Sequence, residues 1–203
     1  MTEITSTEAL RAVYPQPNDL AVRKELSFVD RHAREFIARS PFVVVATSDA
    51  DGWPDASPRG DAPGFVEVPD EHRLLLPDRP GNNRLDSFQN LVANPKIALI
   101  FLVPRRLETL RVNGTARIRT DPELCGRLSV RGKPARAVVE VTATSVYFQC
   151  GKSVVRSGLW LPERWPSIDG MATFAEALAD QIEGVNAAAA EENLAAAYRD
   201  RLY

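Results

Sequence analysis

Ten consecutive residues concentrate the side chains of this sequence best suited to anion chemistry: Asp78-Arg79-Pro80-Gly81-Asn82-Asn83-Arg84-Leu85-Asp86-Ser87. Two Arg and two Asn surround a Gly turn at the predicted start of a helix. The first backbone N–H groups of a helix lack intrahelical partners, the helix dipole favours negative charge there, and Arg adds charge-assisted hydrogen bonds. The arrangement suits a phosphate; the alternative is a solvated helix cap. A second basic position lies upstream in Ser57-Pro58-Arg59-Gly60-Asp61, at the end of a predicted strand. From there Arg59 reaches the same anion or pairs with Asp61. Gly60 and Gly64 either let the backbone approach a flat ligand or serve turns that need positive φ.

A later cluster, Gln149-Cys150-Gly151-Lys152-Ser153-Val154-Val155-Arg156-Ser157-Gly158-Leu159-Trp160, combines two cations with an indole. Lys152 and Arg156 are four apart and share a helix face, a spacing that either clasps an anion or leaves both solvated. Cys150 is a structural thiol or a redox-active one. The two cysteines, Cys125 and Cys150, make neither a disulfide framework nor a CxxC metal site, and His32 and His72 stand apart with no HExxH pattern.

These residues need elements to hold them. Ser6 or Thr7 caps a short helix, Pro15 and Pro17 interrupt it, and Asn18 or Asp19 caps a second helix. Its apolar positions Val22, Leu26, Val29, Ala33, Phe36 and Ile37 run on to Ser40-Pro41. From Phe42 the pattern shortens into strands: Phe42–Ala46, Asp55–Arg59, Gly64–Val68 and Arg73–Leu76, separated by Pro- and Gly-bearing turns. Leu85, Phe88, Leu91 and Val92 form the stripe of an inserted helix that stops at Asn94-Pro95. Ile97–Val103 reads as a buried run. Leu110, Val112, Gly114, Ala116 and Ile118 alternate with polar residues, Arg111 and Asn113 facing solvent or a dimer interface, and Ala137, Val139, Val141 and Ala143 alternate likewise. Met171 to Ile182 and Ala187 to Tyr203 return to helical spacing.

The reading is an α+β chain with a six-stranded antiparallel barrel, closed or nearly so: N-terminal helices over 1–40, a core over 42–160 and C-terminal helices over 168–203, as a single domain over 1–203. A chain of 203 residues with 44% hydrophobic content can bury such a core. The opening MTEITSTEAL lacks a basic, apolar leader pattern, and Ile97–Val103 is far shorter than the roughly 20 residues of a membrane span, so a cytoplasmic, non-membrane protein is expected. A net charge of -2 and 7% aromatics argue against nucleic-acid binding, including an oligonucleotide-binding barrel. Only four of the 25 basic residues are Lys, so local Arg clusters matter more than the total, although a genomic bias toward Arg and Ala gives the same composition.

Taken in order, VVVATSDADGWPDASPRGD, LLLPDRPGNNRLDSFQNLVANPKIALIFLVP and ETLRVNGTARI resemble the pyridoxamine 5′-phosphate oxidase-related split-barrel proteins, over roughly 42–160. The resemblance implies an FMN-binding split barrel, a homodimer with the flavin at the subunit interface, and an FMN-dependent oxidoreductase acting on a small molecule. It places Arg59 on the basic strand position, and Asn82, Asn83 and Arg84 where the family has a Ser-Arg-Lys-like phosphate clamp. The clamp thus carries less charge than the common pattern and depends on Arg84, Arg59 and Arg79. Pro77 and Asp78 fall beside the flavin ring, Thr109 replaces a Gln at a ring contact, and Lys152 and Arg156 are expected to cross to the second subunit's site. The altered clamp and Thr109 argue against pyridoxamine 5′-phosphate itself as substrate. Flavin storage without catalysis and a deazaflavin-dependent reductase remain alternatives; a haem-binding relative is disfavoured by the two isolated His.

Overall fold

The computed structural model describes residues 3–203. Six strands form one curled, wholly antiparallel sheet: β1 (Phe42–Ser48), β2 (Pro54–Gly60), β3 (Arg73–Pro77), β4 (Lys96–Leu102), β5 (Thr109–Arg119) and β6 (Val138–Gln149). Their spatial order is β2-β1-β4-β5-β6-β3, so β2 and β3 are the edges. With flanking helices this is the α+β split barrel expected from the sequence. Edge strands invite pairing with other chains. Here β2 carries Pro54 and Pro58, and β3 is covered by a bridge from Glu67 to Leu75.

In β1, β4 and the first half of β5 every second residue is buried, most of them apolar. Val43 and Val45 of β1, Ile97, Leu99 and Phe101 of β4, and Leu110 and Val112 of β5 meet in one core with Leu74, Leu76 and Val141. Ile97–Val103, read as a buried run, alternates instead: Ala98, Ile100 and Leu102 lie half-exposed on the outer face. Helix α3 (Arg31–Arg39) closes one mouth of the barrel. Asp30 caps it by accepting the Ala33 N–H at 2.8 Å, and Phe36 meets Phe148 edge-on with ring centroids 5.5 Å apart.

Several boundaries differ from the expected ones. The long second helix is two: α2 (Asp19–Arg23), which follows the short α1 (Thr7–Val13), and α3. Between them Leu26 exchanges backbone hydrogen bonds of 3.0 and 2.8 Å with Val146, so sheet pairing displaces helix there. Gly64–Val68 is not a strand; only Glu67 pairs, because Gly64 turns at φ 85° and the segment crosses β3 at one point. A short helix after β5, α5 (Pro122–Arg127), lacked a periodic signal and supports a second small core of Leu75, Cys125, Leu128, Ala135 and Val138. Strand β6 runs six residues past Ala143, because its inward parity switches at a bulge opposite Asn113/Gly114. Before the bulge Val139, Val141 and Ala143 are buried; after it, Val146 is.

Helix α4 (Asp86–Ala93) lies between β3 and β4, as expected, and α6 (Lys152–Ser157) follows β6. Thr173 opens α7 (Phe174–Gln181) with a capping box shared with Glu176, and Asn186 caps α8 (Ala187–Asp200). Among the described residues no helix is long and apolar enough to cross a membrane.

Candidate functional site

A cleft of about 330 Å³ opens where the two edge strands approach each other. Strand alternation points Asp55, Ser57 and Arg59 of β2 into it. Pro77 ends β3 on the other side, and 78–85 with the first turn of α4 complete the wall. The structure thus gathers Arg59, Gly60, Pro77, Asp78, Arg79, Asn82, Asn83 and Arg84 around one space. Arg136, which also lines it, carried no sequence signal.

The loop before α4 is held in a costly shape. Asn83 and Leu85 both occupy the left-handed region, with φ of 59° and 62°. Asn tolerates that conformation, but a branched Leu does so rarely, and such outliers persist only where surrounding contacts fix them. Leu85 stands at the N-cap position of α4 and provides no side-chain cap. The Phe88 N–H donates to the Leu85 carbonyl at 2.9 Å, while the N–H groups of Asp86 and Ser87 have no side-chain acceptor and stay available to an anion.

Three Arg side chains bear on that point. Arg59 donates to the Pro58 carbonyl at 2.9 Å and to the Ser57 hydroxyl. It does not pair with Asp61, the alternative its neighbourhood suggested. Arg84 Nε donates to Asp86 at 2.8 Å, and the hydrogen bond and charge of Asp86 raise the guanidinium above its ordinary value. Arg136 donates to the Asn83 side-chain oxygen at 3.1 Å, and Ser87 donates to Asp55 at 3.0 Å.

Arg79 is placed differently. Its Nε donates to Asp61 at 2.7 Å and a terminal nitrogen to the Leu128 carbonyl at 2.8 Å. The Asp61 side chain is 2% exposed. Burial pushes its carboxyl up, but hydrogen bonds from Tyr203, the Ala62 N–H and Arg79, together with the Arg79 charge, outweigh that and hold it below its ordinary value. Arg79 thus fastens the loop to the barrel. Asp78 shows the reverse balance: burial raises its carboxyl although Arg59, Arg136 and Arg79 all favour the charged form.

Thr109, Lys152 and Arg156 are not among the lining residues of this cleft. Thr109 pairs with Gln149 at the start of β5, and Lys152 and Arg156 are exposed on α6. Cys150 is exposed, and the Trp160 indole N–H donates to the Arg106 carbonyl at 2.7 Å. Arg111 and Asn113 are half-buried on the outer sheet face, where the Arg111 guanidinium stacks 5.3 Å from the Tyr147 ring.

The sequence model of one protein family, described as pyridoxamine 5′-phosphate oxidase, matches residues 29–150. Among solved structures, HupZ from Group A Streptococcus is 21% identical, covers 60% of this chain and 94% of its own, and superposes with a TM-score of 0.50. A conserved hypothetical protein of Mycobacterium tuberculosis is 17% identical over 72% of this chain and 97% of its own, with a TM-score of 0.47. A Clostridium acetobutylicum protein related to general stress protein 26, of the pyridoxinephosphate oxidase family, is 19% identical over 59% of this chain and 86% of its own, with a TM-score of 0.44. No curated protein sequence matches the chain. At these identities the likeness of the structures is one of fold.

Proposed function

Because this chain belongs to the pyridoxamine 5′-phosphate oxidase family, we propose that the cleft between its edge strands holds FMN and that the protein is an oxidoreductase of small molecules. The observation that carries the reading is the convergence of Arg59, Arg84 and Arg136 on the uncapped first turn of α4. Charge-assisted donors and free N–H groups together form a phosphate cradle. Arg84 donates to Asp86, a bond that a phosphate would take over, while the Arg136 bond to the Asn83 oxygen holds the loop.

Bound FMN would supply the two-electron chemistry. The chain's own residues would bind, orient and exclude water. Arg59 and Arg84 hold the phosphate, while Arg136 keeps Asn83 in its left-handed turn. Arg79, anchored on buried Asp61, keeps the loop from swinging away. Asp78, its carboxyl raised by burial, can hold or release a proton at its Oδ atoms closer to neutrality than an ordinary Asp.

A cleft of about 330 Å³ lies at the lower end of the range for small-ligand sites, so a flavin seated there needs a further wall. A second copy of the chain, bringing Lys152 and Arg156, is the wall we propose. The half-exposed outer residues Val44, Ile100 and Leu102, on neighbouring strands, support such a pairing.

The test is the visible absorption spectrum of the purified protein, with the released chromophore identified. Oxidised-flavin bands with FMN released are expected; a colourless protein that takes up no added FMN would overturn the reading. Steady-state oxidation of NAD(P)H by the holoprotein then separates turnover from storage.

A further inference from the structure

Helix α8 stands away from the barrel. A chamber of about 960 Å³ separates it, with the residues that follow, from the 78–82 loop and Lys133. The same loop lines the cleft, so it is the partition between cleft and chamber. We propose that 187–203 is a strap over the chamber side of this loop and that the Tyr203 hydroxyl is its latch: when the latch opens, Arg79 loosens and FMN leaves faster. In its effect on FMN the proposal rests on the flavin reading of the cleft.

The first argument is how little else holds the strap. Helix α8 buries none of its residues and packs chiefly on α7, which itself buries only Ala175. The side-chain bonds within the strap are local, Arg199 to Asp200 at 2.8 Å and Arg201 to the Asn193 carbonyl at 3.1 Å. Among the described residues, every hydrogen bond that joins 187–203 to a residue before 186 is made by Tyr203. Its hydroxyl donates to Asp61 at 2.7 Å, and its main-chain oxygen accepts from Lys133 at 2.6 Å. The Arg131 guanidinium, 4.7 Å from the Tyr203 ring, adds a cation–π contact. A segment with so few buried apolar contacts and one anchoring residue opens at far less cost than the core.

The second argument is what the latch holds. The Asp61 side chain accepts the Tyr203 hydroxyl, the Ala62 N–H at 2.8 Å and Arg79 Nε at 2.7 Å. Arg79 begins the run that carries Asn82, Asn83 and Arg84, so the strap and the loop share one carboxylate. With the strap down, the Asp61 side chain is buried and its attraction for Arg79 acts in a medium of low dielectric. Lifting Tyr203 takes one donor from the carboxylate and admits water to the pair, so the fastening of the loop weakens as the strap rises. Asp61 keeps the Ala62 N–H and Arg79 keeps the Leu128 carbonyl at 2.8 Å, so the barrel itself stays folded.

The experiment is hydrogen exchange read by mass spectrometry, with flavin release followed by fluorescence on the same FMN-loaded samples, for the parent, Tyr203→Phe and Tyr198→Phe. Tyr203→Phe deletes only the latch hydroxyl. Tyr198 lies on the same strap, and its exposed hydroxyl makes no hydrogen bond among the described residues. In Tyr203→Phe, exchange of 187–203 and of 78–85 should rise together and FMN release should speed up about tenfold, the factor for losing a hydrogen bond to a charged group. Exchange of β4 and β5 should stay as in the parent, and Tyr198→Phe should match the parent throughout. A strap that loosens without the loop, a release rate that does not move, faster exchange in β4 and β5 as well, or the same effect from Tyr198→Phe would each overturn the proposal. Should the protein hold no FMN, the flavin reading fails separately, and the joint exchange of strap and loop in the same variants still decides the latch.

Discussion

Asp78 and Asp61 sit on either side of one loop and respond to pH with opposite signs. Burial raises the Asp78 carboxyl, so folding with an ionised Asp78 is penalised: its contribution is favourable below the ordinary carboxylate range and is lost as pH rises through the raised value. Asp78→Asn should therefore melt higher than the parent at neutral pH, the two curves converging in acid; a variant less stable at every pH would mean that the carboxylate is held by bonds rather than merely tolerated. Asp61 contributes in the other direction. Its lowered value gives stability that is present above the ordinary carboxylate range and lost as pH falls through the lowered one. Arg79→Ala leaves that buried carboxylate without its cation, and denaturant titration should show a loss of about 3 kcal/mol. In the cradle itself, Arg59→Ala and Arg84→Ala should each weaken FMN retention about tenfold or more; retention unchanged in both would remove the phosphate assignment.

At the scale of elements, β5 and β6 are matched through one irregularity. A Cβ on Gly114 would lie 1.9 Å from the Thr142 carbonyl oxygen, a distance no rotamer relieves because both groups are backbone. The bulge that brings the strands this close also switches β6 from burying Val139 and Val141 to burying Val146, which lets the second half of the strand pair with Leu26. Gly114→Ala should cost on the order of 3 kcal/mol, measured as a lower unfolding midpoint with an unchanged denaturant slope. A midpoint shift within a few tenths of a kcal/mol would show that the bulge can slide. The period-two pattern of β5 was legible because its inward parity never changes. That of β6 broke off at Ala143 because an unpaired residue there resets the phase, and nothing in the composition marks it.

At the scale of the molecule, the sheet exposes part of its outer face, and its cleft is walled by the two edge strands, the 78–85 loop and the first turn of α4. Val44 pairs with Ile100, and Ile100 with Arg111, so apolar and cationic positions adjoin across three strands. If a second chain covers this face, Ile100→Asp should shift sedimentation from dimer to monomer and weaken FMN retention together. A monomeric parent that holds FMN tightly would refute the shared site. Membership of the family, the α+β class and the loop of Arg, Asn and Gly that lines the cleft were all visible along the chain, since each rests on local order: alternation, caps and a run of polar residues around a Gly.

The sequence by itself determined which residues could grip an anion and that a barrel would carry them, because strand periodicity and helix-start chemistry are properties of neighbours in the chain. Only the tertiary structure decided which of those residues meet. It gave Asp61 to Arg79 rather than to Arg59, brought Arg136 to Asn83 across 53 positions, and laid Tyr203 against a carboxylate 142 positions away. Such pairings depend on how the sheet curls and where its edges face each other, and that is fixed by the packing of the whole core rather than by any segment of it.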